Sequence, residues 1–257
     1  MIYIMAHKAF DAPELPGYVP LQVGAALNGD LGYLRDDAGE NISEKNPYFC
    51  ELTGLYWVWK NRDDAVKGLA HYRRYFTRSS LTSNYEGILP FEKISALLER
   101  ADVVVPGTKH NHISNLEQML KSGKVKEKYF HALRESVAHL YPAYVPEFDD
   151  FFKRNTGCFL NMLVAPREIF DDYCAWLFDI LFDLEARIQR DWPEDDPKRL
   201  YGYLSERLLN IYIRHNGLRT IGRPVANLGV SPYRRWRLMR RNYTNRPRFW
   251  LNQHFSK

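Results

Sequence analysis

Lys67-Gly68-Leu69-Ala70-His71-Tyr72-Arg73-Arg74-Tyr75-Phe76 changes character halfway along. It starts as a short apolar run and turns into three cationic or titratable side chains interleaved with aromatic rings. A buried strand over Val66 to Ala70 delivers His71, Arg73 and Arg74 to its carboxyl end, the edge where ligands sit in open α/β sheets. Paired arginines there suit a phosphate or a carboxylate, because the planar guanidinium fork binds either through two hydrogen bonds. A basic surface turn would use the same residues, so the surrounding chain has to decide.

Working outward, Asn46-Pro47 reads as a helix start, with Asn as the cap and Pro at the first helical position. Phe49, Leu52, Leu55, Tyr56 and Trp59 then recur at helical spacing as far as Asn61. Before it, Ile2 to Met5 form a strand ending at His7-Lys8, and Leu21 to Ala25 a second one; residues 28–46 read as a long functional loop. Strand, helix, strand is the order of a right-handed parallel crossover. Downstream the pattern gives a helix over Pro90 to Arg100, a strand over Asp102 to Pro106 and a polar loop or lid over 108–123. Helices follow over Val125 to Leu140 and Pro142 to Arg154, then a strand over Gly157 to Val164. Long helices over Arg167 to Arg190 and Lys198 to His215 precede a last edge strand at Leu218 to Ile221. This alternation predicts an α/β domain with a mostly parallel central sheet flanked by helices.

Length and composition agree. The chain has 257 residues, 45% hydrophobic and 26% charged, enough for a substantial core and unlike a disordered sequence. No apolar run reaches the roughly 18–20 residues a membrane span needs, and Met1 to Lys8 lacks the pattern of a secretory signal. The odd cysteines, Cys50, Cys158 and Cys174, have no metal-ligand spacing and suit reduced thiols in the cytoplasm. The net charge of +5 divides unevenly. Residues 231–257 hold eight cations and no acid, leaving 28 basic and 31 acidic residues in the rest. A boundary near residue 225 therefore separates a mildly acidic domain, 1–225, from a basic aromatic tail, 226–257.

Several stretches together resemble a known bacterial family. They are 36–43 (Asp-Asp-Ala-Gly-Glu-Asn-Ile-Ser), 45–53 (Lys-Asn-Pro-Tyr-Phe-Cys-Glu-Leu-Thr), Tyr56 to Asn61 and Gly68 to Phe76, joined later by Asn161-Met162, Tyr173 to Phe178 and Gly202 to Leu209. The family is that of capsular or exopolysaccharide biosynthesis glycosyltransferases, long described as a domain of unknown function. The resemblance runs from about residue 1 to 220. It implies a GT-A-like fold, a nucleotide-sugar donor and inverting chemistry, with some members associated with galactofuranosyl transfer from UDP-galactofuranose. It also implies a glycan or lipid-linked acceptor.

A sugar transfer needs a group that stabilises the departing nucleoside diphosphate and a base for the attacking hydroxyl. No Asp-x-Asp motif follows the Val66 strand, so Arg73 and Arg74 are the catalytic candidates for the departing charge. The alternative for them is ion pairing with the acidic loop. A divalent metal, Mn2+ or Mg2+, stays open, with His71 as a ligand beside Asp37 or Asp102. Glu206 is the candidate base. On a helix it shares a face with Arg199, Gly202 and Tyr203, where Gly202 leaves room for a sugar and Arg199 or Arg207 orients the carboxylate. An exposed Glu206 paired with a nearby arginine is the plain alternative. His7, Lys8, Asp37, Asn41, His71 and Asp102 are the donor-binding candidates; Trp57, Asn161 and Tyr203 are those for the acceptor. Turn residues such as Asp37 and Asn41 also bond their own backbone, and Glu51 reads as a helix-dipole residue.

The tail mixes arginine with Tyr233, Trp236, Tyr243, Phe249 and Trp250, which suits an anionic membrane interface or a packed C-terminal helix whose arginines cover apolar surface. The expectation is a cytoplasmic glycosyltransferase, peripheral at the inner face of the cell membrane. Its rival is a non-catalytic module binding RNA or another polyanion, which the acidic body disfavours.

Overall fold

Side chains of the first strand sort by parity. Tyr3 and Met5 enter one hydrophobic core, Ile2 and Ile4 another, as the two-residue repeat of a strand buried on both faces requires. The computed structural model describes residues 1–79, 81–82 and 84–255. Its strands are β1 (Ile2–Ala6), β2 (Tyr18–Gln22), β3 (Leu34–Arg35), β4 (Val66–His71), β5 (Arg74–Phe76), β6 (Val103–Pro106), β7 (Lys109–His110), β8 (Thr156–Gly157), β9 (Val164–Pro166), β10 (Thr220–Arg223) and β11 (Val225–Asn227). The helices are α1 (Asn46–Phe49), α2 (Leu52–Asn61), α3 (Phe91–Ser95), α4 (Asn115–Lys121), α5 (Glu127–Leu140), α6 (Val145–Lys153), α7 (Arg167–Asp191), α8 (Leu200–His215) and α9 (Pro232–Phe255).

The central sheet runs β10-β6-β9-β4-β1-β2-β3. All neighbours in it pair parallel except β9, which runs antiparallel to both β4 and β6. The architecture is therefore the expected α/β one, a mostly parallel sheet flanked by helices. One face, with Leu69, Val103 and Val105, packs on α2, α5, α6, α7 and α8; the other, with Ala70 and Val104, covers a smaller core that includes Ile94 of α3. β4 carries a lysine at its second position. Lys67 is fully buried, and its ammonium meets Asp171 of α7 at 2.7 Å, which supplies the partner a buried charge requires.

Several expectations need correction. The helix from Asn46 to Asn61 is two helices. Cys50, at φ 55° and ψ −132°, breaks it, and the Asn46 amide donates to the Cys50 carbonyl and Thr53 Oγ1 instead of capping. The second strand begins earlier, at Tyr18, and the loop 28–46 contains β3. The supposed lid at 108–123 holds β7 and α4. The strand expected over Gly157 to Val164 survives only at its ends, because Leu160 and Asn161 have φ of 100° and 48°, outside any strand conformation. Beyond the edge strand, β11 returns antiparallel to β5, and the tail forms α9.

Candidate active site

β1 and β4 are parallel neighbours, so His7 and His71 leave the same edge of the sheet. β4 then turns through Tyr72-Arg73 into β5 and places both arginines there. The first turns of α8 and the α1–α2 break stand opposite. Between them lies a cleft of about 750 Å³, whose walls include His7, Glu51, His71, Arg73, Arg74 and Glu206. Tyr203, Arg199 and Arg207 also line it.

Tyr72 organises the cationic side. The His7 ring meets it edge-on at 5.2 Å, and the Arg73 guanidinium lies 4.8 Å above its centroid. Partial burial, then the positive charges of Lys8, Arg199 and Arg73, holds His7 below its ordinary pKa. Burial does the same to His71, against the opposing charge of Glu51 and with smaller help from Arg74, so both imidazoles are neutral at pH 7. His71 Nε2 lies 2.6 Å from the Leu160 carbonyl, which fixes that nitrogen as the donor. No carboxylate lies within 4.0 Å of Arg73 or Arg74 among the described residues. The acidic loop does not neutralise them.

Glu206 stands on the opposite wall with its side chain 20% exposed. Its Oε2 accepts from Arg207 Nη1 at 3.1 Å, and Arg207 in turn donates to the Tyr203 carbonyl and to Gln118. Burial pushes the Glu206 carboxyl above the usual range; Glu51 adds to that, while Arg207, Lys109 and Arg74 oppose it. Arg207, rather than Arg199, orients the carboxylate. Arg199 and Lys124 instead face the Tyr203 ring at 5.8 and 4.2 Å. The space beside Gly202 is not open for a sugar, since a Cβ there would meet Cys50 at 3.2 Å. The Cys50 thiol, pushed up to about 12 by burial, stays protonated.

Of the catalytic, donor and acceptor candidates, His7, His71, Arg73, Arg74, Tyr203 and Glu206 therefore meet in one cleft, whereas Lys8, Asp37, Asn41, Asp102, Trp57 and Asn161 do not line it. Lys8 is exposed, its ammonium 5.5 Å from the centroid of the Tyr72 ring. Asp37 forms an ion pair with Arg35 at 2.6 Å, which holds its carboxyl low, and Asn41 bonds the carbonyls of Asp37 and Gly39. Asp102 precedes β6, at the opposite edge of the sheet, where Arg219 takes both of its oxygens. Trp57 is a core residue whose indole donates to the Ala38 carbonyl at 2.7 Å. Asn161 is 5% exposed and lies behind the cleft wall, bonded to Glu51. With Asp37 and Asp102 engaged elsewhere, His71 has neither of its expected metal partners. Among the described residues no three His, Cys, Asp or Glu side chains converge to hold a metal ion. Glu51 and Tyr72 also line the cleft and were not among the sequence candidates; an aromatic between His71 and Arg73 was the available signal for Tyr72.

A family model described as "Domain of unknown function (DUF4422)" matches residues 1–217. The chain belongs to that family. No curated protein matches it. Among solved structures it is similar to the WbbM bifunctional glycosyltransferase in its apo form, at 29% identity and a TM-score of 0.78. The match covers 89% of this chain and 45% of the other, so the chain spans less than half the length of that protein.

Proposed function

We propose that this chain is a nucleotide-sugar-dependent glycosyltransferase of inverting mechanism. The observation that carries the reading is a pair of arginines, without carboxylate partners among the described residues, facing a partly buried glutamate across one cleft; the similarity to a glycosyltransferase supports it. In this mechanism Glu206 takes the proton of the acceptor hydroxyl. That oxygen attacks the anomeric carbon, and the carbon–oxygen bond to the diphosphate breaks with its electron pair leaving on the phosphate. Arg73 and Arg74 face the charge that develops there. His7 and His71 stand on the donor side and Tyr203 on the acceptor side. The donor is UDP-linked, and galactofuranose is its proposed sugar on the strength of the motif resemblance alone. The acceptor is a glycan or a lipid-linked glycan of bacterial capsular or exopolysaccharide synthesis.

The proposal places the transferase in the domain up to β11, which completes the sheet through β5. α9 is then a docking tail at the inner face of the cell membrane. Incubation with a panel of UDP-sugars and a lipid-linked acceptor tests the activity. UDP release with one donor is expected, and none with any donor would overturn the reading.

A further inference from the structure

Four non-glycine residues have left-handed backbones among the described residues: Cys50, Leu160, Asn161 and Arg199. All four border the cleft. Cys50 and Arg199 line it, and Leu160 and Asn161 hold residues that do. Such conformations are costly for side-chain-bearing residues and persist where the surroundings enforce them, most often at functional sites.

Three of these four act on Glu51 and His71. Cys50 is the break between α1 and α2 and turns the next residue, Glu51, into the cleft. The Leu160 carbonyl accepts the His71 Nε2 proton at 2.6 Å. Asn161 donates from Nδ2 to Glu51 Oε1 and to the Gly202 carbonyl, both at 2.9 Å, and its Oδ1 accepts from Ser205 Oγ at 2.8 Å. Both amide protons and the carbonyl are engaged, so the orientation of the amide is fixed. A glutamate that served only the dipole of α2 would need none of this.

We propose that Glu51 and His71 form a subsite for the hydroxyls of a sugar, with Asn161 as the positioning residue that sets the Glu51 carboxylate. The proposal rests on the glycosyl-transfer reading. Its chemistry follows from the acceptor inventory. With Oε1 held by Asn161, Glu51 on the cleft wall keeps Oε2 as an acceptor; with Nε2 donating to Leu160, His71 keeps Nδ1 as an acceptor. Two neighbouring acceptors select a ligand with two free hydroxyls, and both residues line the same cleft as Arg73 and Arg74. A site built this way discriminates against an analogue that lacks the hydroxyls, because its polar groups would be left unpaired.

Calorimetry with UDP, UDP-galactose, UDP-glucose and UDP-galactofuranose tests it on the wild type, Glu51→Gln and Asn161→Ala. The Glu51→Gln variant keeps a carbonyl oxygen that accepts from Asn161, so the fold is preserved while one ligand acceptor is lost. The expected result for Glu51→Gln is UDP affinity within about twofold of the wild type and affinity for the preferred UDP-sugar weakened roughly tenfold or more. Asn161→Ala should show the same split with a smaller loss. Equal weakening of UDP and UDP-sugar would mean general damage and would overturn the subsite, as would unchanged UDP-sugar affinity in Glu51→Gln. A wild type that binds none of the four probes would overturn the transferase reading and this subsite together; the other outcomes judge the subsite alone.

Discussion

Arg73 and Arg74 keep their charges available to a ligand because no described acid pairs with them, whereas Asp37 and Asp102 are already neutralised by Arg35 and Arg219. Arg74→Ala is expected to lower transfer about 10²–10³-fold, the usual effect of removing one group that stabilises developing charge. Arg74→Lys should restore only part of it, since an ammonium lacks the fork. EDTA should leave wild-type turnover intact, and a loss of activity on chelation would refute departure assisted by arginine alone. Glu206 has its own signature. Its carboxyl ionises above 4.5, the ordinary value for glutamate, chiefly because it is buried. Only the ionised form is a base, so the rate should fall with decreasing pH along a limb centred above that value. Glu206→Gln should remove transfer while UDP still binds; near-normal turnover would eliminate it as base.

At the scale of elements, the join between α2 and the sheet shows why a glycine sits inside a helix. A Cβ on Gly54 would come within 2.4 Å of Met5 Sδ and 2.7 Å of Val23 Cγ1. Alanine gains about 1 kcal/mol in helix propensity, but overpacking of this kind typically costs about 1–3 kcal/mol. Gly54→Ala should therefore lower the denaturant midpoint, and a raised midpoint would show that the sheet yields. The elements that sequence periodicity made legible are those whose apolar pattern is long or dense, such as β1, β4, β6, α7 and α8. What stayed hidden depended on single residues. A left-handed Cys50 or Asn161 leaves no mark on hydrophobic spacing, so the break after Phe49 and the turn within 158–163 were invisible, and Glu51 with them. Asp102 was misread because it comes before its strand, and strand direction sends it away from the cleft. His71, Arg73 and Arg74 were legible for the converse reason: they follow theirs.

Across the whole molecule, charge and anchoring separate α9 from the body. The helix carries seven arginines and no acid, and Tyr233, Trp236 and Met239 are exposed on it. Lys257 lies outside the described residues, as do the side chains of Arg235, Arg246 and Trp250. Asn242 and Asn245 tie the helix to β7 through the backbone of His110. No helix among the described residues is long and apolar enough to cross a bilayer, whereas each arginine near an anionic surface contributes about 1 kcal/mol. The full chain should sediment with phosphatidylglycerol vesicles and not with phosphatidylcholine, and high salt or the pair Trp236→Ser and Arg240→Glu should weaken this. Equal sedimentation with both lipids would refute an electrostatic dock. The sheet itself has a consequence for the order in which the chain assembles. β9, formed by residues 164–166, is the wedge between β4 and β6. A chain emerging from the ribosome can close β3-β2-β1-β4 early, yet the Val66 to Gly68 part of the β4 flank stays unpaired until about a hundred further residues have been made. The helix α5 and its neighbours are synthesised in that interval, while an apolar strand edge waits for its partner. The reversed strand that follows Asn161 at the cleft is thus also the piece that joins the two halves of the sheet.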